Sequence, residues 1–223
     1  MSSSELAGAV LRRATPLVNR ARRAALVRRV GVLAAAAGAT VEVDVALDAQ
    51  IGRGVRVEVG RGTSNLLRLG PGVLVGDGVV LQLKGGRIEI GGWTDLRRGV
   101  VLNVSGRLQV GQSNLIGAGT TVHCAHEVVI GDRVGIGEYT TLVDTSHQHT
   151  EQGRPMVYDT VAGSVHIGDD VFVGTKSTLT RTCRLGDFSV VGAGSVVLGE
   201  VPGRTFVSGV PARHIRSVEL PWE

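Results

Sequence analysis

The sequence predicts an all-β fold of short strands wound into a stack of parallel coils, preceded by one helix. Three observations predict it. Blocks of six begin at Ile167, Val173, Leu179, Leu185, Val191 and Val197 without slippage, each opening on an aliphatic residue that a glycine often follows. Glycine is abundant, 33 of 223 residues, about twice its usual share. Aromatic residues are only 3% of the chain, too few for a core of interlocking rings. A period of six is neither the helical 3.6 nor a long alternating strand. It suits a short extended segment with its aliphatic side chain inward, then a corner where a small residue turns the chain. Three blocks of six make one coil of 18 residues, and a coil buries its inner face only by stacking on its neighbours.

Taken in order, residues 5–30 read as a helix, with Leu6, Val10, Leu17, Ala21 and Ala24 on one face and arginines around the rest. Residues 1–31 hold Arg12, Arg13, Arg20, Arg22, Arg23, Arg28 and Arg29 against the single acid Glu5, so the remaining chain is close to neutral within a net charge of +4. A basic arm on a neutral body has two readings. One is a helix packed on its own or a neighbouring subunit; the other is an amphipathic helix resting on an anionic membrane surface. The arm spans residues 1–40, the stacked coils 41–200 and a tail 201–223. Before residue 110 the rhythm is looser, carried by Ile51-Gly52, Val75-Gly76 and Ile90-Gly91.

Composition narrows the function. With 43% hydrophobic and 20% charged residues, the chain can bury a core and is not disordered. The two cysteines, Cys124 and Cys183, do not make a disulfide scaffold, which favours a reducing compartment. The stretch from Val30 to Ala39 imitates a signal-peptide core only loosely, because its charged lead is too long. No apolar run approaches the roughly 18 residues of a spanning helix. The expected location is therefore cytoplasmic, with the inner face of the membrane open to the arm. No aromatic residue interleaves the arginines and no nucleic-acid motif occurs, so nucleic-acid binding is not expected.

The hexads stop between Leu142 and Ile167. The insert, residues 143–166, is polar and contains Asp144, His147 and His149. A loop expelled from a regular stack sacrifices buried core, and such loops often carry function.

In this segment the chain resembles the hexapeptide-repeat acyltransferases, most closely the galactoside, maltose and xenobiotic O-acetyltransferases. A coil, a short turn ending in His147, a protruding loop and the hexad from Ile167 to Gly174 carry the resemblance, together with the tail from Phe206 to Val218. It implies a left-handed parallel β-helix that assembles as a homotrimer. It also implies transfer of an acetyl group from acetyl-CoA to a hydroxyl of a sugar, glycan or lipid-linked saccharide. His147, not His149, takes the position of the general base. An alcohol is a poor nucleophile at neutral pH, and an imidazole that takes its proton assists by about 10² to 10⁴ in rate. The amide of Thr175, just after Gly174, takes the position of the oxyanion donor. Asp144 is a candidate to orient the imidazole or meet the acceptor.

The same resemblance places coenzyme A along the prism between subunits, paired with the backbone of Ala193 and walled by Phe172, where relatives commonly have tryptophan. Arg213 and Arg216 match its basic positions and suit nucleotide phosphates. Leu198 and Gly199 replace a common Thr-Lys pair, leaving Lys176 as a substitute cation. The acceptor side departs further: Gly119 and Ala125 stand where sugar-acetylating relatives carry polar residues, with His123, His126 and Glu127 nearby. His123 is the candidate acceptor contact. Cys124 flanked by His123 and His126 does not make a metal site, because successive residues of a strand face opposite ways; no metal is expected.

Two other classes fit less well. A γ-carbonic-anhydrase-like metalloenzyme uses histidines five residues apart, a spacing absent here. A non-catalytic trimeric scaffold has no need of the His147 loop or the basic tail. Transfer to an amino group of a sugar nucleotide would require a nucleotide-binding domain, for which residues 1–45 are too short.

Overall fold

A computed structural model describes residues 16–147 and 160–219. Among the described residues one helix, Pro16–Ala36, is followed by short strands in three sheets of eight, nine and seven strands, parallel except for the closing strand Ala212–Ser217 of the second, and by a separate two-stranded hairpin. The chain visits the first, second and third sheets in turn and then begins the next coil, so the sheets form the three faces of a prism. Each face contributes an inward column of aliphatics in register. Ile90, Val110, Ile130, Ile167 and Leu185 stack in the first sheet. Ile116, Ile136, Val173 and Val191 stack in the second. Leu102, Val122, Leu142 and Leu179 stack in the third. All are buried, and burial of such side chains stabilises by about 1.5–3 kcal/mol each. The all-β parallel β-helix expected from the hexads is therefore present.

The coil length differs from the expected 18 residues over part of the prism. His166 pairs with Arg184, a step of 18, but Arg87 pairs with Arg107 and Arg107 with Glu127, steps of 20. In these wider coils the third-sheet strand Thr121–Cys124 and the first-sheet strand Glu127–Ile130 each run four residues and meet at a two-residue corner. The extra residues lengthen two faces, which is why the hexad rhythm blurs before residue 130.

The helix also differs from expectation. It ends at Ala36, and its buried residues are Leu26, Val30 and Ala34, one per turn on a single face. Leu17 is 79% exposed, and Ala21 and Ala24 face solvent with it; Leu6 and Val10 lie outside the described residues. The buried face closes the open end of the first coil. Asn19 donates to Ala49 O (3.0 Å) and accepts from Ile51 N (3.0 Å), while Arg22 and Arg23 donate to the carbonyls of Ile51 and Val45. These contacts occupy backbone groups that a terminal coil would otherwise leave as an unpaired edge. Two of the arm's arginines thus serve the fold, leaving Arg20, Arg28 and Arg29 exposed.

Candidate active site

The chain leaves the prism at the edge between the third and first sheets. Thr141–Val143 is still in the third sheet, Ser164–Ile167 is back in the first, and Thr145–His147 pairs antiparallel with Thr160–Ala162. The departure is thus narrower than the expected 143–166. His147 ends the outgoing strand opposite Thr160 and is exposed. His149 lies outside the described residues.

Asp144 does not orient that histidine, nor is it open to an acceptor. It is fully buried, and its carboxylate accepts the amide N–H groups of Ala125 (2.9 Å), His126 (2.7 Å) and Glu127 (2.8 Å). In the coil before, the corresponding corner amides of Ser105, Gly106 and Arg107 donate to carbonyls of the next coil. Where the chain departs, those carbonyls are missing, and Asp144 supplies the acceptors in their place. Cys124 beside it is a buried thiol whose pKa is pushed up to about 12, first by burial and then by the Asp144 charge.

Thr175 sits on a different edge, between the second and third sheets, following Phe172–Val173 and preceding Thr178–Leu179. Its peptide unit is fixed from inside. The buried hydroxyl of Thr140 donates to Gly174 O at 3.3 Å. The carbonyl of Gly174 and the N–H of Thr175 share one trans peptide plane and point opposite ways, so the N–H is aimed away from the core. The pattern repeats along this edge. Thr120 holds Gly137 O (3.0 Å), and Ser177 and Ser195 hold Gly192 O (3.2 and 2.6 Å), which turns the amides of Glu138 and Ala193 outward as well. Among the described residues these three N–H groups have no acceptor. Gly174 permits the close stacking: a Cβ there would lie 2.5 Å from Ala193 N.

Phe172 is 53% exposed on the outer face of the second sheet, in register with Gly135 on one side and Val190 on the other. Arg216 lies over the Phe206 ring, 5.5 Å from its centroid, and Arg213 is exposed on the same closing strand, Ala212–Ser217. Neither has a carboxylate partner among the described residues. On the third sheet, His123 is exposed and its Nδ1 accepts from Asn103 Nδ2 at 3.3 Å. It is in register with Val143, one coil from where the chain turns out.

The structure therefore gathers Gly174, Thr175 and Ala193 on one edge with Phe172 on the adjoining face, and His147 on the next edge. His147 and Thr175 are separated within one chain by the width of the third sheet. Sequence reasoning missed Thr140 and Tyr139, which flank this edge. It also missed His166, which pairs with Glu127 (3.0 Å) and accepts from Arg184 (2.9 Å) on the first sheet. The His166 ring, then Arg107, hold the Glu127 carboxyl below the usual carboxylate range. The signal for Thr140 and Tyr139 was the 20-residue repeat, which places Thr120 in the coil above Thr140 and Gly119 in the coil above Tyr139. Among the described residues no group of three or more His, Cys, Asp or Glu is placed to hold a metal ion, and no helix is long and apolar enough to cross a membrane.

No family model matches the chain. Curated relatives do. Over 139 residues, 61% of this chain and 46% of the relative, it is 26% identical to the probable acetyltransferase Rv3034c of Mycobacterium tuberculosis. Over 121 residues, 53% of this chain and 58% of the relative, it is 29% identical to the galactoside O-acetyltransferase of Escherichia coli. The chain spans about half the length of these relatives. Among solved structures it resembles a variant of AntD, an N-acyltransferase from Bacillus cereus in complex with dTDP and coenzyme A. The TM-score is 0.54 at 16% identity, covering 79% of this chain and 83% of that one, a likeness of fold. The resemblance to hexapeptide-repeat acetyltransferases is borne out by these relatives and by the prism itself.

Proposed function

We propose that this hexapeptide-repeat chain transfers an acetyl group from acetyl-CoA to a hydroxyl of a saccharide, in sites formed between the copies of a homotrimer. One observation carries the reading: an outward-aimed amide at Thr175 and an exposed imidazole at His147 occupy neighbouring edges of one prism, so that two copies packed edge to edge would bring them face to face.

The Thr175 edge suits an extended acyl carrier. The N–H groups of Glu138, Thr175 and Ala193 lack acceptors among the described residues, Phe172 offers an apolar wall, and Arg213 and Arg216 offer guanidinium forks for phosphate. Bound there, acetyl-CoA supplies an activated thioester carbonyl. The imidazole of His147 of the partner subunit takes the proton of the acceptor hydroxyl as its oxygen attacks, and returns it to the departing sulfur. The Thr175 N–H donates to the carbonyl oxygen as negative charge builds on it. Because Thr140 has already fixed the peptide plane, little reorganisation is needed at that moment. His123 stands on the acceptor side.

Arg20, Arg28 and Arg29 on the outer face of the helix suit a weak contact with anionic lipid. Sedimentation with phosphatidylserine vesicles tests this contact: it should decline when the three are changed to glutamine, and an unchanged pellet removes the idea.

The function is tested by incubating the protein with acetyl-CoA labelled in the acetyl group and a panel of sugars, glycans and lipid-linked saccharides. Label should reach the acceptor as an ester that hydroxylamine removes, and His147→Ala should lower transfer by about 10² or more with the oligomer intact. Label resistant to hydroxylamine would indicate an amide and an amino acceptor. No transfer to any hydroxyl, or full turnover without the imidazole, contradicts the reading.

A further inference from the structure

The edge that carries Thr175 needs one left-handed residue per coil. In five coils that residue is glycine, at Gly54, Gly78, Gly99, Gly119 and Gly194. In the remaining two it is Tyr139, with φ 56°, and Lys176, with φ 57°. The exceptions are consecutive and bracket the Thr175 amide, since Lys176 N donates to Glu138 O in the coil above. A bulky side chain in this region costs about 1–2 kcal/mol relative to glycine, and such outliers cluster at functional sites.

Nor does the tyrosine serve the core. Its side chain is 61% exposed, and its hydroxyl has no partner among the described residues. The ring lies against Gly119 of the coil above, where a Cβ would lie 2.5 Å from Tyr139 Cε1 and 2.6 Å from Cδ1. The bare glycine therefore seats the ring against the prism, and the rest of the ring is open to solvent. Glu138 beside it is also exposed. Apolar aromatic surface next to hydrogen-bonding groups suits a pyranose, whose ring C–H groups form an apolar face and whose hydroxyls surround it.

We infer that Tyr139 is the acceptor platform of the site, stacking on the pyranose ring of the saccharide and presenting a hydroxyl of that ring toward the Thr175 amide one coil below, with the Glu138 side chain bonding the neighbouring hydroxyls. The inference rests on the saccharide reading above and adds the residue that recognises the sugar. Trp93 is a built-in control. It has the same construction, 68% exposed with φ 59° and seated over Gly72, but lies on the edge between the first and second sheets, away from Thr175.

The test uses p-nitrophenyl pyranosides as probes, with Tyr139→Ala, Tyr139→Phe and Trp93→Ala in the full chain. Two measurements are made: pyranoside binding by saturation-transfer NMR, and acetyl transfer with the affinity for acetyl-CoA measured separately. Tyr139→Ala should weaken pyranoside binding and raise its KM by about 3- to 10-fold, leaving the affinity for acetyl-CoA unchanged. Tyr139→Phe should stay within about twofold, and Trp93→Ala should match the unaltered protein. If pyranosides bind through Tyr139 but receive no acetyl group, the transfer reading fails and the platform stands. If Tyr139→Ala binds pyranosides normally, if nothing in the panel binds, or if it loses acetyl-CoA instead, the platform is overturned.

Discussion

The carboxylate of Asp144 lies 2.7 Å from the amide nitrogen of His126, in the coil before its own. This contact, with those to Ala125 and Glu127, lets the chain leave a continuous parallel stack without stranding the backbone it abandons. The hairpin that carries His147 starts at the next residue, so the plug and the proposed base are linked through the backbone. Asp144 acts through the corner it closes.

Replacing Asp144 by alanine should therefore act on stability first. Three part-buried N–H groups lose their acceptors, and a loss of about 3 kcal/mol is expected. Asp144→Asn keeps one acceptor oxygen and should cost less. Denaturant unfolding of both variants checks the order, and an Asp144→Ala protein as stable as the parent would contradict the plug.

The hydroxyl of Thr140 acts on chemistry through the Gly174–Thr175 peptide. Thr140→Val keeps the shape and removes the bond to Gly174 O. It should lower kcat by about tenfold with the KM for acetyl-CoA nearly unchanged, and Thr140→Ser should restore most of the loss. Equal kcat values for the valine and serine variants would show that the hydroxyl does not position the amide.

On the first sheet, Glu127 is held below its ordinary pKa by His166 and Arg107. On the edge between the first and second sheets, Asp170 is held low by the paired guanidinium of Arg133, with both N–O distances 2.7 Å. A depressed folded pKa adds stability above the unfolded value of about 4 and loses it as pH falls through the folded value. The melting temperature should therefore drop on acidification below about pH 4, and less steeply in a Glu127→Gln, Asp170→Asn double variant. Identical acid limbs for the two proteins would remove these pairs as the cause.

How much of this was legible follows from where the partners lie. The inward columns were readable because each hexad carries its own aliphatic: Ile136, Val173 and Val191 announce themselves without reference to other coils. Asp144 was not, because its partners lie 17 to 19 residues earlier and meet it only once the coil length is known. The 20-residue coils hid for the same reason, since two added residues at a corner disturb the hexad count while leaving the stack intact. On the helix, alanine and arginine alternate with too little contrast to mark a face, and the prism end selects Leu26, Val30 and Ala34. Tyr139 went unnoticed because its significance rests on the column of glycines in the other coils, which only the coil lengths assemble.

The central claim, that each site draws its base and its oxyanion donor from different chains, is tested most directly by mixing two inactive variants. His147→Ala lacks the base. Thr175→Pro lacks the amide proton; Thr175 is outside the residues of positive φ and is followed by Lys176 at φ 57°, and proline is common before a positive-φ residue in type II turns. Each is first shown to be folded and assembled by thermal melting and light scattering. Co-expressed under different tags and purified through both, the mixed trimers should regain about a third of the parental activity, since one of the three sites in each then pairs an intact His147 with an intact Thr175. Mixed oligomers no more active than either variant alone would contradict the shared site.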